Sequence, residues 1–385
     1  MLMPLIRILL FHPKYFFHLI SRKFMFAKRY HQIIKSQFVA SPDFFPLVYK
    51  FTLNWQCNLK CNMCMLWGDV GWRKEESVIQ ERKEQLDFGI IQKVINETRQ
   101  DQRSFIFIGG EPLMYPRFKD LLEVLKKERI FSITCTNGLL LNNFTKQIIG
   151  NPYATFLISL DGLDCVNDHL RGEGVYEKVI ANLKDILKRP ARPYIGVQFT
   201  VQPENVHQMH DFCKYMAGLG VDWILFNLTW FVTKQEAHTY EQVLRDNFST
   251  LAKSHRGYMF DYDLDNDVFI KEQDKINNGS WPIQISCYLR EKKDIGLYTK
   301  SLLSQSAAKH CYKQWMRMDI MPDGKVTPCS QFPDLRVGDL RHQTTQSVWK
   351  SREYQKFRSL IKKELLPVCK KCDCLYLYND QRKIL

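Results

Sequence analysis

The sequence lacks several features that would restrict it to a narrow class of protein. No apolar run reaches the roughly 18 residues that a membrane-spanning helix needs. The short apolar run at the N-terminus is broken by Arg7, Pro13 and Lys14, and no small-residue cleavage site follows it, so no signal peptide is indicated. There is no internal repeat, no low-complexity tract and no composition typical of disorder. These absences predict a folded cytoplasmic protein that is at most peripheral to a membrane.

The composition suits a chain with one large domain and a smaller one. The 385 residues are 45% apolar and carry a net charge of +14. That charge favours acidic partners, which include nucleic acid, anionic lipid and acidic peptides, although a basic solvated surface explains it equally well. The chain has twelve cysteines, and no signal peptide is indicated, so a reducing compartment is expected. In such a compartment clustered cysteines indicate metal binding rather than disulfides.

Four regions follow from the residue pattern. Residues 1–45 are aromatic and basic and predict an amphipathic helix that packs on the body of the protein or contacts a membrane surface. Residues 46–235 alternate short β-branched or aromatic runs with helical stretches, which predicts a parallel α/β sheet of six strands. Residues 236–310 form a linker or insert of uncertain structure, with a loop expected around Pro282. Residues 311–385 form a small cysteine-rich module.

Three cysteines directly follow the first predicted strand. Cys57, Cys61 and Cys64 lie within eight residues, and no fourth Cys or His is nearby. A structural zinc site or an ordinary ferredoxin cluster takes four protein ligands. Three ligands leave one position of an iron–sulfur cluster open, as a catalytic cluster requires, although zinc completed by a remote ligand fits the spacing too.

The second predicted strand ends in Gly109-Gly110-Glu111-Pro112. The glycines let the backbone approach a ligand closely, and proline fixes the turn. The carbonyl groups of this turn and Glu111 are expected to face a cationic amine.

Together, Cys-x3-Cys-x2-Cys and Gly-Gly-Glu-Pro resemble the radical S-adenosylmethionine (SAM) superfamily. The resemblance implies a partial (β/α)6 TIM-like barrel and a [4Fe–4S] cluster on the three cysteines. The open iron of this cluster chelates SAM, which is cleaved to a 5′-deoxyadenosyl radical that abstracts hydrogen from the substrate. Family members often have an aromatic residue before the third cysteine, where this chain has Met63, whose thioether can still pack against adenine.

Further SAM contacts are implied by the later strands. The resemblance assigns Ser159 to the SAM ribose and Arg171 to its carboxylate. Asn137 is a candidate SAM contact, but Asn137 and Asp161 equally fit turn or cap positions. Gln198 and Asn227, on the fifth and sixth predicted strands, either face SAM or substrate or form an internal hydrogen bond.

The C-terminal cysteines predict a second metal site. An Asp323-Gly324 hairpin would bring the segments of Cys311 and Cys329 together, and Cys369-x2-Cys372 supplies two more ligands. From spacing alone, zinc and iron–sulfur are comparable. The spacing resembles the SPASM and twitch domains of radical SAM enzymes, and it implies one auxiliary [4Fe–4S] cluster, with Cys374 able to replace a neighbour. Cys135, Cys165, Cys213 and Cys287 are expected to be core or incidental cysteines.

The leading functional hypothesis is a radical SAM oxidoreductase or modifying enzyme. A fully ligated auxiliary cluster suits electron transfer during oxidation or cross-linking of a peptide, sugar or other small substrate. An external donor such as flavodoxin or ferredoxin is expected to supply electrons. The alternative is a zinc- or cluster-stabilised nucleic-acid-binding protein, but the sequence has no RNA-binding motif, so a nucleic-acid partner is not expected.

Overall fold

The computed structural model describes residues 2–74, 83–98, 103–287, 292–299 and 310–372, together with Leu375. In this part of the chain the strands form one ten-stranded sheet, in the order β10-β9-β8-β1-β2-β3-β4-β5-β6-β7. All neighbours from β8 to β7 in this order are parallel, whereas β8–β9 and β9–β10 are antiparallel. The strands are β1 Val48–Thr52, β2 Ser104–Ile108, β3 Phe131–Thr136, β4 Ala154–Ser159, β5 Tyr194–Val201, β6 Trp223–Leu228, β7 Gln284–Cys287, β8 Arg317–Ile320, β9 Lys325–Thr327 and β10 Gly338–Asp339.

Most of the helices connect successive parallel strands, whereas two precede the first strand and two follow the last. They are α1 Leu2–Phe11, α2 Pro13–Lys35, α3 Phe88–Glu97, α4 Phe118–Lys127, α5 Thr145–Ile148, α6 Asp164–Arg171, α7 Val175–Leu187, α8 Met209–Leu219, α9 Lys234–Phe248, α10 Asn266–Asn278, α11 Lys292–Thr299, α12 Thr345–Trp349 and α13 Arg352–Lys363. Several begin at a residue that caps the first turn. In α3, for example, the Asp87 carboxylate accepts the Gly89 N–H at 2.6 Å.

The α/β class and its partial barrel are confirmed, and the six predicted strands are β1 to β6. The parallel run is longer than predicted, because β7 and β8 extend it at its two edges. The loop predicted around Pro282 is confirmed between α10 and β7, whereas the strand that follows it was not predicted. β7 has only four half-buried residues, too few to show the continuous apolar run of a central parallel strand.

Helices α1 and α2 close the floor of the barrel, where the parallel strands begin. The ring of Tyr15 stacks on Tyr194, the first residue of β5, with centroids 4.2 Å apart. The ring of His18 stacks on Phe131, the first residue of β3, at 3.8 Å. The predicted N-terminal helix is therefore confirmed as a helix pair, and one face of it packs on the body of the protein.

The C-terminal region shares the sheet of the barrel, since β8 pairs with β1. The predicted hairpin is confirmed: β8 and β9 are antiparallel, and Gly324 has a φ of +76° in the turn between them. The segment after β6 is fastened to this region as well. The Asp334 carboxylate accepts the N–H groups of Lys253 at 2.8 Å and Ser254 at 3.0 Å. The division into four regions stays a prediction.

Candidate active site

The three-cysteine loop begins just beyond the carboxyl end of β1, the end at which parallel α/β proteins place their chemistry. Backbone hydrogen bonds fold it tightly. The Cys64 N–H donates to the Cys61 carbonyl at 3.0 Å, and the Gly68 N–H donates to the Cys64 carbonyl at 2.7 Å. The Trp67 indole N–H donates to the Trp55 carbonyl at 2.9 Å and ties the loop to its own start.

Each thiol of the loop has a nearby N–H donor. The backbone N–H of Leu59 lies 3.4 Å from Cys57 Sγ, and that of Trp67 lies 3.4 Å from Cys64 Sγ. Arg171 Nη1 lies 3.8 Å from Cys61 Sγ. Donors aimed at sulfur stabilise thiolates, the form that binds iron, and they tune the potential of a cluster. This donor set fits a [4Fe–4S] cluster held by the three cysteines.

Two of the three thiols, those of Cys57 and Cys61, are costly to ionise without a metal. Burial raises the pKa of Cys57 to about 12. Burial also raises the pKa of Cys61, although the Arg171 guanidinium opposes the shift. A bound cluster would supply the positive charge that favours the thiolates, so cluster binding and thiol ionisation are coupled.

The Gly-Gly-Glu-Pro turn packs directly on the cysteine loop. The Gly110 N–H donates to the Asn54 carbonyl at 2.9 Å, and the Glu111 N–H donates to the Gln56 carbonyl at 2.6 Å. A Cβ at Gly110 would lie 2.1 Å from the Gln56 oxygen, and one at Gly109 would lie 2.6 Å from the Asn54 oxygen. Both glycines are therefore required by the approach of two backbones at the site.

The Glu111 carboxylate is buried and engaged by the protein itself. It accepts hydrogen bonds from Thr136 Oγ1 at 2.6 Å, the Asn137 N–H at 2.8 Å and the Leu113 N–H at 2.9 Å. Burial raises the pKa of Glu111 against these donors. The side chain thus joins the end of β3 to the turn, in which Pro112 is also buried. Contact of the turn's carbonyl groups and of Glu111 with a cationic amine stays a prediction.

Arg171 sits between the cysteine loop and a buried carboxylate. Its Nη2 lies 2.6 Å from Asp161 Oδ2, and the Asp161 side chain is fully buried. The other oxygen of Asp161 accepts the Thr200 N–H at 2.7 Å. Asp161 thereby positions the guanidinium beside Cys61. The sequence fits Asp161 at a turn or cap position at least as well as at a SAM contact, and it did not indicate the pairing with Arg171.

The remaining predicted contacts lie around the same mouth. Asn137 Nδ2 donates to Asn58 Oδ1 at 2.8 Å and lies 3.9 Å from Cys57 Sγ. The strand register places Ser159 beside Gln198, and Asn227 lies on the same face of the sheet. Buried Asn227 Oδ1 has no hydrogen-bond partner among the described residues. Met63 is half-buried between Cys61 and Cys64. Their SAM contacts stay predictions.

The four predicted auxiliary ligands line a single cavity. Cys311, Cys329, Cys369 and Cys372 surround it together with Lys313, whose side chain is buried. Burial raises the pKa of Cys369 well above its ordinary value. Lys313 Nζ donates to the Pro328 carbonyl at 2.8 Å, and sequence reasoning gave no sign of this buried cation. Cys374 lies outside the described residues.

Among the described residues, no three Cys, His, Asp or Glu side chains come together in a way that could hold a single metal ion. The four cysteines around the C-terminal cavity are the residues that would hold an auxiliary iron–sulfur cluster.

Two family models match the chain. Residues 56–216 match the radical SAM superfamily, and residues 311–373 match SPASM, an iron–sulfur cluster-binding domain. Together they span more than half of the chain. The chain belongs to the radical SAM superfamily. It carries a C-terminal SPASM domain, and the nucleic-acid-binding alternative is not favoured.

Curated relatives cover most of the chain at low identity. The tungsten-containing aldehyde ferredoxin oxidoreductase cofactor-modifying protein of Pyrococcus furiosus is 24% identical, over 82% of this chain and 84% of the relative. The serine-type anaerobic sulfatase-maturating enzyme of Bacteroides thetaiotaomicron is 23% identical, over 84% and 79%. The subtilosin biosynthesis protein AlbA of Bacillus subtilis is 24% identical, over 80% of this chain but only 60% of AlbA.

Solved structures share the fold. Streptococcus suis SuiB superposes with a TM-score of 0.61 at 17% identity, covering 90% of this chain and 76% of SuiB. The protein described here is thus a radical SAM enzyme whose cofactors are SAM, a [4Fe–4S] cluster and auxiliary iron–sulfur. The predicted superfamily, enzyme class and cofactors are confirmed.

Proposed function

We propose that this enzyme oxidises or cross-links a peptide by abstracting a hydrogen atom from one of its carbon atoms. The observation that carries the proposal is the pairing of an open three-cysteine loop with a four-cysteine cavity in one sheet. Two relatives are maturation or biosynthesis enzymes for a sulfatase and a bacteriocin. SuiB has been solved with its precursor peptide SuiA. These relatives favour a peptide over a sugar.

The proposed reaction balances as a two-electron oxidation. The reduced cluster, when bound, supplies the electron that splits SAM into methionine and the 5′-deoxyadenosyl radical. A hydrogen atom moves from a substrate C–H bond to this radical, which gives 5′-deoxyadenosine. Oxidation of the substrate would then release one electron and one proton, and a cluster held by Cys311, Cys329, Cys369 and Cys372 would accept the electron while solvent takes the proton. Four cysteines leave that site no open iron, so electron transfer is the role that suits it.

The residues of this chain hold the reactants in place and keep water out. The Asp161–Arg171 pair steadies the cysteine loop on one side of the mouth, and the Glu111 carboxylate steadies the turn opposite. The half-buried Gln198 and Asn227 on β5 and β6 offer amide groups to a bound substrate. Helices α1 and α2 seal the floor, which protects a radical that attacks most C–H bonds.

Electron supply and location complete the proposal. Flavodoxin or ferredoxin is the proposed external electron donor. Residues 1–45 provide the proposed contact with a membrane surface.

The decisive experiment follows hydrogen from substrate to cofactor. Candidate substrate peptides would be synthesised in deuterated form and incubated with reconstituted, reduced enzyme and SAM. We expect 5′-deoxyadenosine that carries deuterium. Each oxidation should remove one deuterium atom and one proton from the peptide, so the product should be two mass units lighter than an unoxidised peptide with the same remaining deuterium. Formation of 5′-deoxyadenosine without deuterium would refute the peptide substrate, and no 5′-deoxyadenosine at all would refute SAM cleavage.

A further inference from the structure

The exposed large hydrophobic side chains are concentrated in one part of the molecule. Of the fourteen that the described residues contain, ten lie in α1 and α2. Phe24 is 73% exposed, Leu10 70% and Phe11 68%. The ten are Met3, Leu5, Ile6, Leu9, Leu10, Phe11, Phe17, Ile20, Phe24 and Ile34. A patch of this kind marks an interaction surface.

Helix α2 has two apolar faces with different partners. Tyr15, Leu19 and Phe26 are buried against the floor of the barrel. Phe17, Ile20 and Phe24 follow the three- and four-residue spacing of one helix face and point away from the body. The inner face explains how the helix stays attached to the barrel. The outer face has no partner among the described residues.

The charge around this outer face has one dominant sign. The first 42 residues contain seven Lys or Arg and no Asp or Glu. Beside α2, a groove is lined by Lys14, Phe17 and Arg129 together with Glu128 and Tyr153. Exposed Lys126 and Lys127 end α4 at the same floor. Basic side chains that flank exposed aromatic and aliphatic ones match anionic lipid headgroups above an acyl layer.

We propose that the outer face of α1 and α2 binds the surface of an anionic lipid bilayer. The apolar side chains enter the headgroup region, and Lys14, Lys126, Lys127 and Arg129 contact phosphate groups. Among the described residues no helix is long and apolar enough to cross a bilayer. The helix pair therefore lies in the plane of the interface.

This attachment fixes which way the active site faces. Helix α2 crosses the amino ends of the strands, as its contacts with Tyr194 and Phe131 show. The cysteine loop lies beyond the carboxyl end of β1, on the opposite side of the sheet. A barrel bound by its floor turns its mouth away from the lipid. The enzyme would then take its substrate from the aqueous side, a consequence that rests on the proposed function.

The test uses the full-length, cluster-loaded enzyme in vesicle flotation. Vesicles of phosphatidylcholine alone are compared with vesicles that also contain about 30 mol% phosphatidylglycerol. We expect flotation with the anionic vesicles and at least about tenfold less with the neutral ones. The variant Leu10→Ser/Phe11→Ser/Phe24→Ser changes only exposed side chains and should lose at least about tenfold of the anionic binding. The matched control Leu251→Ser, at a side chain 74% exposed after α9, should bind as the natural enzyme does.

Three outcomes would contradict the proposal that this face binds lipid. They are absence of flotation, equal flotation with both vesicle types, and a triple variant that changes the oligomeric mass in light scattering, which would assign the face to a second copy. The orientation has its own readout, since saturating vesicles should leave the rate of 5′-deoxyadenosine formation and peptide turnover unchanged. Loss of peptide turnover on vesicles would place the mouth against the lipid. Flotation needs no SAM cleavage, so failure here is distinct from failure of the proposed reaction.

Discussion

The two cysteine sites lie next to the same sheet, but their ligands are arranged differently along the chain. The SAM-site cysteines occupy a loop of eight residues whose thiols are half-buried and open to the mouth of the barrel. The auxiliary cysteines come from segments as far apart as Cys311 and Cys372 and line one cavity. Three cysteines leave a coordination position for a cofactor, whereas four leave none. This difference supports the proposal that SAM cleavage takes place at the first site and electron transfer at the second.

The largest expected effect separates the two sites by their ligands. Cys61→Ala should lower 5′-deoxyadenosine formation more than about a thousandfold, and iron should fall from about eight to about four atoms per chain. Cys372→Ala should lose a similar amount of iron but still cleave SAM, because its site does not bind SAM. Iron analysis and chromatography of 5′-deoxyadenosine measure both.

The control for this pair is Cys165→Ala, at an exposed cysteine of α6. It should keep all its iron and its full rate. If Cys372→Ala lost SAM cleavage as completely as Cys61→Ala, the two sites would not have separate roles.

The next effect concerns the buried charge beside the auxiliary site. Burial would raise the pKa of Asp319, but Arg317, Lys313 and Lys50 hold it well below the ordinary value. Lys313 Nζ lies 3.0 Å from its carboxylate, and the Ser330 N–H donates to it at 2.9 Å. Asp319→Asn leaves buried cations unpaired and should cost about 3 kcal/mol in the free energy of unfolding.

The sign of the pH dependence follows from the lowered pKa. The stability from Asp319 is present above the ordinary aspartate pKa of about 4 and is lost as the pH falls below it. Anaerobic denaturant titrations should therefore show the same deficit in Asp319→Asn at pH 8 and at pH 5. A deficit that shrinks between these values would contradict the assignment. Asp185→Asn, in an exposed ion pair with Arg189, should change stability by less than about 0.5 kcal/mol.

A smaller effect concerns the close packing of the Gly-Gly-Glu-Pro turn on the backbone that leads into the cysteine loop. At Gly110 a Cβ would lie 2.1 Å from the Gln56 oxygen, so Gly110→Ala must displace the backbone that leads into the cysteine loop. We expect a loss of about 1–3 kcal/mol in stability and weaker binding of the first cluster, with the auxiliary cluster retained. At Gly218 in α8 a Cβ meets nothing within 4 Å, so Gly218→Ala should be neutral or stabilising by up to about 1 kcal/mol. Equal behaviour of the two variants in denaturation and iron analysis would refute the packing argument.

What the sequence revealed about these sites depended on how local each feature is. The six strands and the cysteine loop were predictable because strand runs and ligand spacing are written in consecutive residues. The pairing of β8 with β1 was not predictable, since it joins residues more than 260 positions apart. The Asp161–Arg171 contact with Cys61 was missed for the same reason, because it bridges 110 positions. The hydrogen bonds that the protein donates to the Glu111 carboxylate were not predicted, because a sequence motif does not indicate the hydrogen-bond partners of its residues.

The smallest expected effect concerns the positive charge that Arg171 holds beside the first cluster site. Its guanidinium bridges Asp161 and Cys61 Sγ, so it places a positive charge beside one cluster ligand. Arg171→Lys keeps the charge but loses the planar fork that reaches both groups. We expect about tenfold slower SAM cleavage, which is the lower end for a residue that orients a metal ligand. The reduction potential of the first cluster should fall by about 60 mV, the one-electron equivalent of a factor of ten.

The potential distinguishes this positioning role from a structural one. A residue that only stabilises the fold would lower the midpoint of denaturation and leave the potential unchanged, because the cluster would keep its surroundings. Redox titration followed by electron paramagnetic resonance measures the first cluster separately once Cys372→Ala has removed the second. Arg189→Lys, in the exposed pair with Asp185, should move neither quantity. A potential that stays constant in Arg171→Lys would mean that the thiolate does not sense the guanidinium, and the contrast between the two sites would then rest on ligand number alone.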